Sequence, residues 1–338
     1  MTTPTTAGPT EDEADRIDAE VAASDKVSFS RDGYRLRRPT WDDSDMSHVA
    51  GRTVVVTGAT AGLGRATAEG LAALGARVVL VSRNAATLAE VTTEISQTTG
   101  NDDLSWVALD LSSLASVRAG AAQLLEREPA IHVLVNNAGI MVDERQESVD
   151  GYELTWATNI IGPYLLTELL LPRLLETATA EVPARIVEVT SGGAYSQRID
   201  VEDPLTERRG YEPQAVYSRT KRAQIIVTEQ RALRLAADHV VAHVMHPGWA
   251  ATPGLLNTAA MAKFVTNFGY LLRTPAEGAD TTVWLAAADQ PATCSGLFWQ
   301  DRRPRETHRD EATQETEGER VALDSLLSSF IGDTNADE

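Results

Sequence analysis

The chain has 338 residues, 43% of them hydrophobic, which is enough for one large or two ordinary domains with a substantial core. Its single cysteine, Cys294, excludes an intramolecular disulfide framework and a cysteine-rich metal site, as expected of a protein in a reducing cytoplasm. A formal charge of −19 argues against nucleic acid as a partner, which would select a basic surface.

Residues 1–50 and 301–338 together carry 11 of the 19 excess negative charges. Bases are 27 arginines against 3 lysines, which suits a salt-adapted surface and equally an arginine-rich genome with acidic chain ends. Residues 1–26 hold hardly any large apolar side chain and are expected to be a disordered acidic tail. No basic stretch followed by an apolar run marks a secretory signal. Residues 27–50 set Phe29, Tyr34, Leu36 and Trp41 among charges, as an arm laid against a main domain would.

From residue 53 strands and helices alternate. Short apolar runs predict parallel strands at 53–56, 77–81, 104–109, 131–135, 185–190, 240–245 and 296–300. Helical runs are expected after the first strand to residue 74, then at 85–97, 114–126, 151–177, 216–237, 276–288 and 321–330. The apolar stretch 160–175 is broken by Pro163, Glu168, Pro172 and Arg173, so it reads as a buried helix and not a membrane span. This alternation predicts an α/β fold, a doubly wound parallel sheet of the Rossmann type, as one domain over 51–300. An acidic C-terminal tail with a short helix, 301–338, would follow it.

Between the first strand and its helix lies Thr57-Gly-Ala-Thr-Ala-Gly-Leu-Gly64. Glycines there let the backbone approach a pyrophosphate, and the helix N-terminus offers unpaired N–H groups. Gly58, Thr60, Ala61, Gly62, Leu63 and Gly64 are therefore candidate dinucleotide contacts. At the end of the second strand, where an acid would hold the ribose hydroxyl of NAD, stand Ser82 and Arg83, with Arg65 just after the glycine turn. A hydroxyl and two guanidinium groups favour the phosphate of NADP(H) over NAD(H).

Tyr217 and Lys221 are four residues apart, so on a helix they share one face. A phenol with a reference pKa of about 10 is a poor acid–base group near neutrality, and a neighbouring ammonium favours its phenolate. Such a pair can pass a proton to or from an alcohol or carbonyl oxygen.

With these residues in place, the stretch 50–300 resembles the short-chain dehydrogenase/reductase family. The resemblance assigns Asn159, Ser191, Tyr217 and Lys221 to the family's catalytic tetrad. It implies that Asp110, with Leu111 beside it, lies near the adenine, and that Asn136-Asn-Ala138-Gly139 holds the sheet and lines the adenosine side. It further implies that Pro247-Gly248 and Thr252 form the loop meeting the nicotinamide. The segments 191–194, 246–253 and 296–304, with the arm at 29–34, are similar to the retinol-dehydrogenase-like branch that includes dehydrogenase/reductase member twelve. In the implied mechanism Ser191 holds the substrate oxygen and Tyr217 protonates it. Lys221 lowers the tyrosine pKa and binds the nicotinamide ribose, and Asn159 holds a water.

One departure is the wide spacing from Ser191 to Tyr217, whose charged part, 200–210, is expected as a surface loop beside the cleft. His239, His243 and His246 fall on or beside a strand, where their spacing does not make a metal pair, so no metal is expected. Residues 249–272, with Phe264, Phe268 and Tyr270, are expected to form an apolar substrate lid. The expected function is an NADP(H)-dependent oxidoreductase on a small-molecule carbonyl or alcohol, with a cofactor-binding regulatory module without turnover as the alternative. Whether the helices around Asn159 and Tyr217 pair into a homo-oligomer is left open.

Overall fold

The computed structural model describes residues 10–332, and the expectations for residues 1–9 and 333–338 lie outside the described residues. Disorder was expected up to residue 26, yet residues from 11 onward are helical. α1 (Glu11–Ala22) starts at Thr10, whose hydroxyl caps it, and buries Ala14 and Val21. The short α2 (Asp25–Ser28) and α3 (Arg31–Arg37) follow. Composition missed α1 because its order comes from partners distant in sequence. Asp18 pairs with Arg37 at 2.6 Å and with Arg305 at 2.5 Å.

The sheet is built from β1 (Thr53–Thr57), β2 (Arg77–Ser82), β3 (Leu104–Ala108), β4 (Val133–Asn136), β5 (Ala184–Val189), β6 (Val240–Met245), β7 (Phe298–Gln300) and β8 (Arg303–Arg305). Their order is β3-β2-β1-β4-β5-β6-β7-β8, parallel except for β8. The helices are α4 (Gly62–Ala73), α5 (Ala85–Thr99), α6 (Leu114–Arg127), α7 (Leu154–Trp156), α8 (Gly162–Thr177), α9 (Pro213–Arg234), α10 (Pro253–Asn257), α11 (Ala262–Phe268), α12 (Pro275–Ala287) and α13 (Glu317–Ile331). Successive strand residues face opposite sides. Val55, Leu134 and Ile186 therefore pack with Leu124, Leu166 and Ile226, while Val54, Val56 and Leu80 pack with Leu71, Leu88 and Trp284. This is the doubly wound α/β fold expected, and its topological switch falls between β1 and β4.

The expected continuous helix over 151–177 is three pieces. Gly151 is in a left-handed turn (φ 83°) and Glu153 caps the two N–H groups of Thr155 and Trp156. One π turn, Ala157–Ile161, then separates α7 from α8. Such turns widen a helix locally and often occur where function needs a side chain re-aimed. Asn159 lies inside this one. Gly162 follows with its Cα against the Leu111 carbonyl, so that a Cβ would lie 2.0 Å from that oxygen. Gly162→Ala is expected to cost about 1–3 kcal/mol or more through this backbone clash, read as a lower midpoint in urea unfolding.

The strand β8 had no counterpart in the expectations. The turn joining it to β7 is Asp301-Arg302, with φ of 54° and 58°, a left-handed pair that normally selects Asn or Gly. Distant partners hold it: Arg302 reaches Asp280 (2.8 Å) and Asp43 (2.7 Å), and Asp301 meets Arg37 and Arg273. α13 begins four residues earlier than expected, at a capping box formed by Thr316 and Glu319. It lies across α9 and α8, with Leu323 and Leu327 in the core and Tyr164 Oη donating to Asp324 at 3.3 Å. These are the helices from which the family resemblance would build a subunit contact. No helix among the described residues is long and apolar enough to cross a bilayer.

Candidate active site

Beyond the C-terminal ends of the parallel strands a cleft of about 1360 Å³ opens. Pockets for drug-sized ligands span roughly 300–1,000 Å³, so there is room for a dinucleotide and a second molecule. The glycine turn forms its first wall. Gly58 has φ 67°, and a Cβ on Gly64 would lie 2.3 Å from the Gly58 carbonyl, so only glycine lets α4 start this close to β1. Thr57 Oγ1 accepts from the N–H groups of Asn137 (3.0 Å) and Ala138 (3.1 Å), while Asn137 Nδ2 donates to Thr57 O at 2.9 Å. Thr57 and Asn137 thus stitch β1 to β4 at the cleft floor. Sequence reasoning gave Thr57 no role, and placed Asn137 only within the motif expected to hold the sheet.

Gly58, Ala61, Gly62, Leu63, Ser82, Arg83, Asp110, Leu111, Ala138, Gly139, Pro247, Gly248 and Thr252 all line the cleft, as expected of cofactor contacts. Thr60 stands just behind, its hydroxyl 3.1 Å from that of Ser82. The two guanidinium groups part ways: Arg83 is exposed at the cleft, while Arg65 is paired with Glu94 at 2.8 Å. Asn136, expected on the adenosine side, instead points into the core, where Nδ2 donates to Thr167 Oγ1 (2.9 Å) and Glu188 Oε1 (2.7 Å). Strand alternation explains the difference, because adjacent residues of one strand face opposite ways.

Tyr217 and Lys221 share a face of α9, with Lys221 Nζ 5.5 Å from the centre of the phenol ring. The Ser191 hydroxyl, at the end of β5, hydrogen-bonds Tyr217 and accepts from Gly193 N at 3.2 Å. Burial raises the Tyr217 phenol above its ordinary value, and the Ser191 bond opposes this only in part. The net shift is therefore upward, in the direction opposite to the lowering expected from Lys221. Burial brings Lys221 down to about 8, while the Glu188 carboxylate pulls the other way. Lys221 Nζ donates to Val189 O (3.0 Å) and Gln224 Oε1 (3.1 Å). A Cβ on Gly139 would sit 3.2 Å from this ammonium.

Asn159 is fully buried and clamps the β4 loop. Its Oδ1 accepts from Ile140 N (2.8 Å), and Nδ2 donates to Ile140 O (3.0 Å) and Thr220 Oγ1 (3.0 Å). Thr190, given no role, donates to Lys221 O at 2.6 Å and fixes α9 against β5. Gln224 was also missed, although its spacing of three from Lys221 puts the two on one helical face.

The lid region folds as α10, α11 and connecting turns. Trp249, Phe264 and Phe268 cluster with ring centres 5.1–5.5 Å apart, and Trp249, Met261 and Phe264 line the cleft. Asp143 accepts from Ala259 N and Ala260 N, and Gln214 Nε2 donates to Ala260 O at 2.8 Å, tying the lid to both neighbouring loops. The charged loop 200–210 packs by Leu205 O against Arg145, outside the cleft lining. His243 accepts from Trp299 Nε1 (3.0 Å) and donates to Pro291 O (2.9 Å), and burial brings it down to about 4. His246 lines the cleft and burial brings it to about 3, so both imidazoles are neutral in ordinary buffers.

Residues 52–262 match the family model described as short chain dehydrogenase. Among sequence relatives, dehydrogenase/reductase SDR family member 12 of Homo sapiens is 38% identical over 292 residues, covering 84% of this chain and 88% of the relative. Retinol dehydrogenase 11 of Homo sapiens is 36% identical over 251 residues, covering 74% and 77%. Among solved structures, the Pseudomonas aeruginosa RhlG/NADP active-site complex superposes with a TM-score of 0.61 at 29% identity, covering 75% of this chain and 96% of that one. The Brucella melitensis 3-ketoacyl-(acyl-carrier-protein) reductase complexed with NADH gives 0.60 at 28%, covering 74% and 96%. One neighbour thus carries NADP and the other NADH. Fold, matched span and relatives agree: this chain belongs to the short-chain dehydrogenase/reductase family of NAD(P)-dependent oxidoreductases acting on alcohols or carbonyls.

Proposed function

We propose that the protein is an NADP(H)-dependent oxidoreductase that interconverts a carbonyl and an alcohol on a fairly apolar substrate, with Tyr217 as the acid/base. The observation that carries this is the convergence of Tyr217, Ser191 and Lys221 at one end of a cleft whose other end is a glycine cradle. The residues present fit the cofactor: the cradle has no Cβ where a pyrophosphate would approach, and α4 starts there. Gly58, Gly62, Ser82 and Arg83 would hold the nucleotide, and Gly139, Lys221, Pro247, Gly248 and Thr252 the nicotinamide side. When bound, NADPH supplies a hydride to the carbonyl carbon.

The chain's own residues do the rest. Ser191 Oγ would fix the substrate oxygen by a hydrogen bond, and Tyr217 would give that oxygen a proton as negative charge builds on it. Lys221, held by Val189 O and Gln224, places a cation beside the phenolate that remains. Asn159, bonded to both backbone groups of Ile140, would position the Gly139–Ile140 backbone beside this ammonium. Trp249, Met261 and Phe264 exclude water from the reacting end. The apolar lid and the relative named for retinol support an apolar substrate.

Arg83 supports NADP(H), because it is the guanidinium that faces the cleft where a ribose phosphate would lie. In fluorescence titrations NADPH should bind at least about tenfold more tightly than NADH, and Arg83→Ala should erase that difference while leaving NADH affinity unchanged. Equal affinities in the wild type would overturn the cofactor assignment. Tight NADPH binding with no turnover on any carbonyl would favour a regulatory module.

A further inference from the structure

Residues 10–51 precede the matched family span, and nothing in the hydride chemistry calls for them. Their position gives them a role at the reacting end. We propose, resting on the reading of Ser191 and Tyr217 above, that the N-terminal arm is one wall of the substrate site, and that Phe29 selects bulky apolar carbonyl substrates.

Phe29 lines the cleft together with Asp25. Its ring stands edge-on to His246 (4.7 Å) and to Trp249 (6.0 Å), so it continues the aromatic surface of the lid. The ring also lies against the loop after Ser191: a Cβ on Gly192 would come within 3.0 Å of Phe29 Cε2. The Phe29 carbonyl accepts from Trp249 N at 2.7 Å, and a Cβ on Gly248 would lie 2.6 Å from that carbonyl oxygen. One arm residue therefore touches both the loop carrying Ser191 and the loop expected at the nicotinamide.

The arm is fixed in this place. Arg37 and Arg273 meet on the buried Asp301, and Gln300 Nε2 donates to Ser28 O at 2.8 Å, one residue from Phe29. From outside, the Arg309 guanidinium covers the Phe29 ring at 4.9 Å and pairs with Asp25. That pairing compensates the charges of Arg309 and Asp25 at the rim, where the wall offers an apolar ring. A neutral aromatic or branched carbonyl compound would gain contact there, whereas a very small one would not reach it.

The test uses the full chain loaded with NADPH. Phe29→Ala, Gly192→Ala and the double variant are compared with wild type in NADPH affinity, in binding of the neutral fluorophore N-phenylnaphthylamine, and in kcat/KM for naphthaldehyde against acetaldehyde. Phe29→Ala should lower the naphthaldehyde-to-acetaldehyde ratio about tenfold, mainly through KM, weaken the fluorophore about tenfold, and leave NADPH affinity within about twofold. Gly192→Ala should lose activity that the double variant partly regains, because removing the ring makes room for the new methyl. Should Phe29→Ala fail to fold, Phe29→Leu serves, with a smaller shift of the same sign. A folded variant with an unchanged ratio and unchanged fluorophore affinity overturns the proposal while leaving the oxidoreductase reading intact. If the wild type reduces no aldehyde, that reading fails instead, and the arm stands or falls on the fluorophore comparison.

Discussion

Replacing Tyr217 by Phe is expected to reduce carbonyl turnover roughly 10²–10⁴-fold, the range removed with a positioned proton donor, while NADPH still binds. The ring and its packing survive the change; only the hydroxyl that bonds Ser191 is lost. A structural role would instead show as weaker cofactor binding or a lower melting temperature. The pH profile offers a second reading of the same apparatus. Burial brings Lys221 down to about 8, and in the proposed mechanism its cation stabilises the phenolate left after protonation of substrate. The reductive kcat/KM should therefore fall as pH rises past about 8, and a profile that stays flat well above that value would remove Lys221 from the mechanism. Wild-type and Tyr217→Phe proteins consuming NADPH at equal rates would remove Tyr217.

The largest effect on stability is expected from Asp301→Ala. The Asp301 carboxylate is 1% exposed and receives Arg273 Nη1 at 2.5 Å, Arg273 Nη2 at 2.9 Å and Arg37 Nη1 at 2.7 Å. Burial alone would raise its pKa, but Arg273 and Arg37 outweigh burial and hold it below 3.8. Removing the acid leaves two buried guanidinium groups with less compensation, which typically costs about 3–5 kcal/mol. The lost contacts also release the arm and the left-handed turn before β8, so the unfolding midpoint should drop and protease should cut near residue 40. Replacing Arg37, Asp301 and Arg273 together by apolar residues should cost less than Asp301→Ala alone, since no charge is then stranded. The sign with pH follows from linkage. A carboxyl whose folded pKa is depressed stabilises fully above its ordinary 3.8, and that contribution is lost as pH falls through the lower folded value.

The two predictions probe parts of the molecule that differ in how readable they were. Tyr217 and Lys221 were legible because one helical turn brings them together and no distant partner is needed to define the pair. The glycine cradle was legible for a similar reason: strand, turn and helix are contiguous in Thr53–Ala73. Asn159 was named by motif, but the partners of its side chain were not. Its hydrogen bonds go to Ile140 and Thr220, residues 19 and 61 positions away, and no local rule reports them. Asn136 was misplaced because a four-residue strand gives no hint of which asparagine of a pair faces the cleft.

The sequence by itself determined the βα alternation, the parallel sheet and the helical face that carries the acid/base pair. These follow from the spacing of apolar residues and from contacts within a turn or two. Only the tertiary structure decided that α1 is ordered, that Asp301 and Arg302 can hold a left-handed turn, and that Phe29 reaches the cleft. Each of those depends on buried charges or rings brought together across more than 200 residues, such as Arg37 on Asp301 and Phe29 on Trp249. An ion pair buried at a chain crossing has no periodicity to read, because what it stabilises is the meeting of segments and not the conformation of either one.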